Sequence, residues 1–186
     1  MRKPDQITVD RVLLLYLLQL AEPHGLIGDV KLHQLTFLCE LQMFNAALKG
    51  FHFEFFRYAY GVFSKDLDND LLSLRRKERV VNFSPTDQAE KAVALLLEAV
   101  EGNETNRQVV DVLEAVVAKY GPEDNTEIMK SVEAVELSTP ERPEFKLPIQ
   151  DISFHTTLLV PHRIEVKSEF SLSLKQVAHL NAAMGY

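Results

Sequence analysis

The run Val12-Leu-Leu-Leu-Tyr-Leu-Leu18 constrains this chain more than any other stretch. Apolar side chains fall all round the helix it would form, the pattern of a helix buried on most of its surface. A chain carrying such a helix has to surround it with other elements. Seven apolar residues, closed by Gln19 and Glu22-Pro23, fall well short of the ~20 needed to span a bilayer. No small-residue cleavage site follows between Gln19 and His24, so a cytoplasmic protein with no membrane partner is expected. The helix should begin near Thr8 or Asp10 and run to Ala21. Pro23, Gly25 and Gly28 make a loop, and Asp29 caps a second helix that runs to Gly50. Leu32, Leu35, Cys39, Met43 and Ala46 form one apolar stripe on it, and Phe37, Leu41, Phe44 and Leu48 another. Two stripes mean a central helix packed from two sides.

Residues 51 to 63 change period. Phe51, Phe53 and Phe55 alternate with His52 and Glu54, which predicts an extended segment with one buried face. Seven of the chain's sixteen Phe and Tyr residues lie in this stretch, more than one buried face requires. The opposite side would present His52, Glu54, Phe56, Tyr58 and Tyr60, with Arg57 pointing the other way. Gly61 ends the segment, and Ser64 can cap a helix carrying Leu67, Leu71 and Leu74. Asp66, Asp68 and Asp70 near its start and Arg75, Arg76 and Lys77 near its end complement the helix dipole, with the acids read as a solvated face.

A short strand is expected over 79–83. Ser84-Pro85 should open a helix ending at Gly102, Thr105 with Gln108 a second ending at Gly121-Pro122, and Thr126 to Leu137 a third. Pro140, Pro143 and Pro148, set among mixed charges, make 138–148 a surface connector. Beyond it, alternation from Ile152 to Val160 followed by Arg163 to Val166 reads as a hairpin, and Ser173 with Gln176 caps a last helix ending near Met184. The expected architecture is mainly α with minor β: a helical core domain over 1–137 with short strands near 51–60 and 79–83, the connector, and a hairpin plus helix over 149–186 packed on the same domain.

Chemistry is harder to find. The chain has 20 Lys plus Arg against 27 Asp plus Glu, a net charge of -7, which argues against gripping nucleic acid through overall charge. The spacing of Asp66, Asp68 and Asp70 imitates a calcium loop, but Leu71 and Lys77 occupy the places that need Gly and Glu. Six histidines form neither HExxH nor a close pair, and His33 reads as a surface or satisfied side chain. The single cysteine, Cys39, falls on a buried face, where it acts as a small hydrophobe. Phosphate loops and Gly-x-Ser-x-Gly elbows are missing. No metal or organic cofactor is therefore expected.

Two segments resemble a known family. Lys31-Leu-His-Gln-Leu-Thr-Phe-Leu38 is similar to the Lys-Leu-x-Lys-Leu-x-Tyr-hydrophobic motif that opens Panacea-type, SocA-like domains. Tyr60-Gly-Val-Phe-Ser-Lys-Asp-Leu67 resembles their Tyr-Gly-Pro motif, and the related Tyr-Gly-Pro-Tyr-Ser-x-x-Leu form of YwgA-like proteins. The acidic-leucine helix and Glu-Arg-Val-Val81 fit both groups, so the resemblance covers about residues 9–90. Gln34 stands where the family usually has Lys, and Val62 where it has Pro. The resemblance implies a mainly helical domain without a known catalytic centre, whose work is binding another protein: neutralising a toxin, or delivering a partner to a protease.

The expected function is accordingly that of a non-enzymatic protein-binding module, antitoxin-like or adaptor-like. Its partner-binding residues are Phe56, Tyr58 and Tyr60, and a homodimer is compatible with the sequence. The alternative is a winged-helix-type DNA-binding regulator in which Arg75, Arg76 and Arg79 contact phosphates. Nucleic acid is the weaker partner class, because Asp66, Asp68 and Asp70 share that helix. A hydrolase with a dispersed site is a third class, for which the sequence supplies no constellation.

Overall fold

The helix apolar on all sides, α1, runs over Pro4–Ala21 and is enclosed as its sequence demands. Val12, Leu13, Leu14, Leu15, Leu17 and Leu18 are all fully buried. Completely burying one such side chain contributes roughly 1.5–3 kcal/mol. A computed structural model describes residues 1–26 and 28–186. Helix α1 starts earlier than its apolar run, because Pro4 suits the first helical turn and Gln6 caps Lys3 from within.

Helix α2 (Asp29–Asn45) is the second central element and stops short of Gly50. Ala47 takes a left-handed φ of 56°, and its carbonyl accepts N–H groups from Lys167 and Ser168. Leu48–Lys49 is instead strand β1. Residues 51–54 are extended but unpaired. They lead into β2 (Phe55–Tyr58) and β3 (Gly61–Phe63), an antiparallel hairpin in the register Phe56↔Phe63 and Tyr58↔Gly61. Ser64 caps α3 (Lys65–Arg76) as expected, accepting the Leu67 amide on its side chain.

Two residues each make β4 (Val80–Val81) and β5 (Ser84–Pro85), a tight pair. Ser84 thus belongs to a strand rather than a cap, and α4 (Glu90–Glu101) is entered through a 3₁₀ turn over Asp87–Ala89. Helix α5 (Glu104–Tyr120) is capped by Asn103, not Thr105, with the Asn106 amide on the Asn103 side chain. Asp124 and Glu127 form a reciprocal cap on α6 (Asn125–Glu133).

The C-terminal third departs most from expectation. The expected connector over 138–148 is largely paired: β6 (Glu136–Thr139) and β7 (Arg142–Pro148) form an antiparallel hairpin, mostly exposed. The predicted hairpin over 152–166 does not close on itself. Strand β8 (Thr157–Leu159) instead pairs antiparallel with β2, and β9 (Ser168–Glu169) pairs parallel with β1. Ser173 and Gln176 cap α7 (Leu174–Met184) reciprocally, as their spacing implies.

The fold is α+β, with helices dominant. Helix α1 packs against α3, α4, α5 and α7, while α2 packs against α5 and α6 and carries β1 and β3. Through β1, which pairs with β9, and the β2–β3 hairpin, which pairs with β8, the C-terminal segments are drawn onto the same body. No helix among the described residues is long and apolar enough to cross a membrane.

Candidate functional site

Two concentrations of polar and aromatic side chains stand out, one at each end of the 48–63 segment. The first is the tip of the β2–β3 hairpin. Ala59 and Tyr60 form its two-residue turn, and Gly61 follows with φ 86°, a conformation that favours glycine. A side chain there would also collide with Gln34 Oε1. Gln34 is fully buried in α2 and holds the turn from beneath. Its Nε2 donates to the carbonyls of Tyr60 and Val62 (3.1 Å each), and its Oε1 accepts the Val62 amide (3.1 Å).

Arg57 works from the other side. It is buried, as alternation predicts, and its guanidinium donates to Tyr58 O (2.6 Å), Gly61 O (2.9 Å) and Glu133 Oε1 (3.0 Å). The ring of Phe154 lies 5.1 Å from its guanidinium carbon. Backbone bonds from Arg57 N to Thr156 O and from His155 N to Arg57 O (2.8 Å each) join the tip to the segment before β8.

On this base stands a ladder of rings. Ring centroids lie 6.3 Å apart for Tyr60 and Tyr58, 6.4 Å for Tyr58 and Phe56, and 5.4 Å for Phe56 and Phe63. Phe63 stacks on His33 at 4.5 Å. Exposure rises outward: His33 is buried, Phe56 and Phe63 half-buried, Tyr58 39% and Tyr60 58% exposed. The structure therefore brings Phe56, Tyr58 and Tyr60 together. His33 is a satisfied histidine: Nδ1 accepts the Ser64 amide at 3.1 Å, and burial pushes its pKa down to about 4, with Asp29 opposing. His52 and Glu54, expected on the same exposed strip, part company, for Glu54 is exposed and His52 is buried.

His52 belongs to the second concentration, an ion network inside the protein. Asp10 is fully buried and accepts three donors: Arg2 (2.8 Å), the His52 amide (2.9 Å) and His52 Nδ1 (2.9 Å). His52 Nε2 lies 2.7 Å from Glu169 Oε1 on β9. Arg2 also pairs with Asp70 (2.6 Å), which takes Arg11 at 2.9 Å. Asp70 is 2% exposed, so it is not part of a solvated helix start. Burial alone would lower the pKa of His52, but Asp10 and Glu169 outweigh it and raise the value.

Glu40 is the anomaly of this network. It is fully buried on α2, and neither carboxyl oxygen has a hydrogen-bond partner. Burial, reinforced by nearby Asp10, pushes its pKa well above the ordinary carboxylate value despite the Phe53 backbone, Arg2 and Lys49. Cys39 is buried beside it, and burial pushes its thiol pKa up, away from the nucleophilic form. Both ring nitrogens of His52 are occupied by carboxylates, which leaves neither to take a proton from a substrate. The network's chemistry is cohesion: it ties the N-terminus, α1, residue 52, α3 and β9.

The basic residues of the DNA-binding alternative are dispersed among internal contacts. Arg75 donates to Asn82 O and lies 4.8 Å from the Phe83 ring. Arg79 donates to Ala183 O, Lys77 O and Gln88 Oε1. Arg76 alone of the three is exposed. Sequence reasoning identified the exposed rings but not Gln34 and Arg57, which hold them. Their only sequence signal is a polar residue on an otherwise buried helix and a cation inside an aromatic run. No family model, no curated protein and no solved structure matches this chain.

Proposed function

We propose that the chain is a non-enzymatic protein-binding module that captures its partner with the aromatic tip of the β2–β3 hairpin. One observation carries this reading: Tyr58 and Tyr60 are held in water on a turn whose carbonyls are fixed from inside by Gln34 and Arg57. Rings left exposed by the fold keep their apolar area for a partner to cover, and fixing their backbone beforehand lowers the entropy lost when a partner binds. Tyr is also among the residues that most often anchor interfaces. The motif resemblance to Panacea-type domains supports the same role, and makes a toxin to be neutralised or a protein delivered to a protease the class of partner.

The DNA-binding alternative would need Arg75 and Arg79 to abandon their internal partners. The test compares partner capture with melting temperature for wild type, Tyr58→Ala and Tyr60→Ala. Truncating one central interface aromatic commonly costs about 2 kcal/mol or more of binding. Capture lost in both variants at nearly unchanged melting temperature supports the reading. Early unfolding with undiminished capture per folded molecule would show the tyrosines to be core.

A further inference from the structure

A second feature lies apart from the tip, between the β6–β7 hairpin and β8. There an open groove of about 420 Å³ is lined by Leu137, Phe145, Leu147, Ile152, Leu158 and Arg142, with hydroxyls among them. Its volume lies within the range of small-molecule sites, roughly 300–1,000 Å³. Phe145 is 67% and Leu147 53% exposed, so apolar walls face water.

Polarity is graded along the groove by the strand register. At the hairpin base Leu137 pairs with Leu147, and Ile152 and Leu158 line the same groove. Towards the turn Thr139 pairs with Arg142. Arg142 is the only charged residue in the lining, and it takes part in none of the ion pairs among the described residues. The groove thus has a largely apolar lining, hydroxyls at Ser138, Thr139, Thr156 and Thr157, one cation at Arg142 towards the hairpin turn, and no acid. That arrangement is complementary to one ligand chemistry.

We propose that this groove binds a small amphipathic carboxylic acid. The apolar tail lies against Leu137, Leu147, Ile152 and Leu158. The carboxylate meets the Arg142 guanidinium, a planar fork suited to two parallel hydrogen bonds, with the Thr139 hydroxyl alongside. A neutral or cationic amphiphile of the same length would gain the apolar contact but not the ionic one. This site is independent of the aromatic tip and of the partner it captures.

The experiment titrates the full chain with decanoate below its micelle concentration, followed by amide chemical shifts and calorimetry, with 1-decanol and decyltrimethylammonium as comparators. Decanoate should bind more tightly than either, with shifts concentrated over residues 137–158. Arg142→Gln should weaken decanoate about two- to fivefold and leave decanol unchanged, the size of one exposed ionic contact. Leu147→Asp should abolish both, its fold confirmed by the unperturbed remainder of the spectrum. Equal affinity for decanoate and decanol, or an Arg142→Gln variant that binds decanoate normally, overturns the proposal. Self-association abolished by Leu147→Asp, without decanoate binding, overturns it too and makes the groove an interface between copies.

Discussion

His33 and His52 are both buried, yet one is pushed towards its neutral form and the other towards its charged form. His33 lies under the aromatic tip against Phe63, where its Nδ1 must be unprotonated to accept the Ser64 amide. His52 lies between Asp10 and Glu169, and only an imidazolium can donate to both. The two regions use buried polar groups for opposite ends. In the ion network, side chains from distant segments satisfy one another and nothing is left to present. At the tip, Gln34 and Arg57 satisfy the backbone, which leaves the rings free to face outward.

The sharpest way to break this comparison is Asp10→Ala. It would leave the His52 amide and His52 Nδ1 without a partner and take from Arg2 one of its two close carboxylates, Asp70 remaining; removing one member of a buried ionic group costs about 3–5 kcal/mol. Chemical denaturation should show that loss. A change below about 1 kcal/mol, the size of an exposed pair, would mean that the network does not hold the segments together.

Next in size is the pH dependence, which has opposite signs in the two regions. An unfolded histidine titrates near 6.5, whereas folded His33 resists protonation to about 4. The stability it confers is complete above about pH 6.5 and is lost as pH falls towards 4, roughly 3 kcal/mol in all. His52, with its raised folded value, contributes stability that is complete below about 6.5 and lost as pH rises through that value. Unfolding free energy measured against pH should therefore respond separately to two variants. His33→Gln should flatten the acid limb between pH 4 and 6.5, and His52→Gln the limb above 6.5. Were either variant to flatten the other's limb, the electrostatic assignment would be reversed.

A smaller effect tests how the tip is held. The two positions that depart from the family motif, Gln34 and Val62, touch each other, with the Val62 amide on Gln34 Oε1. A proline at 62 has no amide to donate, and a lysine at 34 has no acceptor to offer. Gln34→Lys alone would leave the Val62 amide unpaired, and Val62→Pro alone would leave Gln34 Oε1 unpaired. The double variant leaves neither. The cycle should show about 1–2 kcal/mol of favourable coupling, and strictly additive costs would mean the contact is incidental.

What could be read from the sequence was what is local. The all-round apolar run of α1, the stripes of α2 as far as Met43 and Phe44, and the caps Ser64 and Ser173 depend on neighbours within a turn or two, and the structure carries them; Ala46 and Leu48, expected to end the two stripes, lie beyond the helix, Ala46 exposed and Leu48 in β1. Extended segments were visible by alternation, but their partners were not. Strand β8 pairs with β2 about a hundred residues earlier, and nothing in its own side chains specifies that. The same reason hides the end of α2. Ala46, Ala47 and Leu48 are good helix formers, and only the distant Lys167 and Ser168 amides explain the turn at Ala47. Asp70 looked solvated because Arg2 and Arg11 are remote in sequence. For the site, the exposed rings were legible from composition, and the buried residues that fix them were not.

The smallest expected stability change is the one that separates a presented surface from a packed one. Along the ladder, exposure rises from Phe63 and Phe56, half-buried, to Tyr58 at 39% and Tyr60 at 58%. If the outer rungs are presentation, they add little to the fold, because their rings touch each other more than the core. Tyr60→Ala should then change the unfolding free energy by no more than about 0.5 kcal/mol, the usual range for a surface position. Phe56→Ala removes a ring that contacts both Tyr58 and Phe63, and should cost distinctly more, about 1–3 kcal/mol. Tyr58→Ala should fall between them, since Tyr58 touches Phe56, Phe63 and Tyr60 while its outer edge is wet. A graded series measured by denaturation would place the boundary between fold and surface inside the ladder. Equal costs at Phe56 and Tyr60 would make the tip one packed unit, and the rings would then be there to stabilise the hairpin rather than to meet a partner.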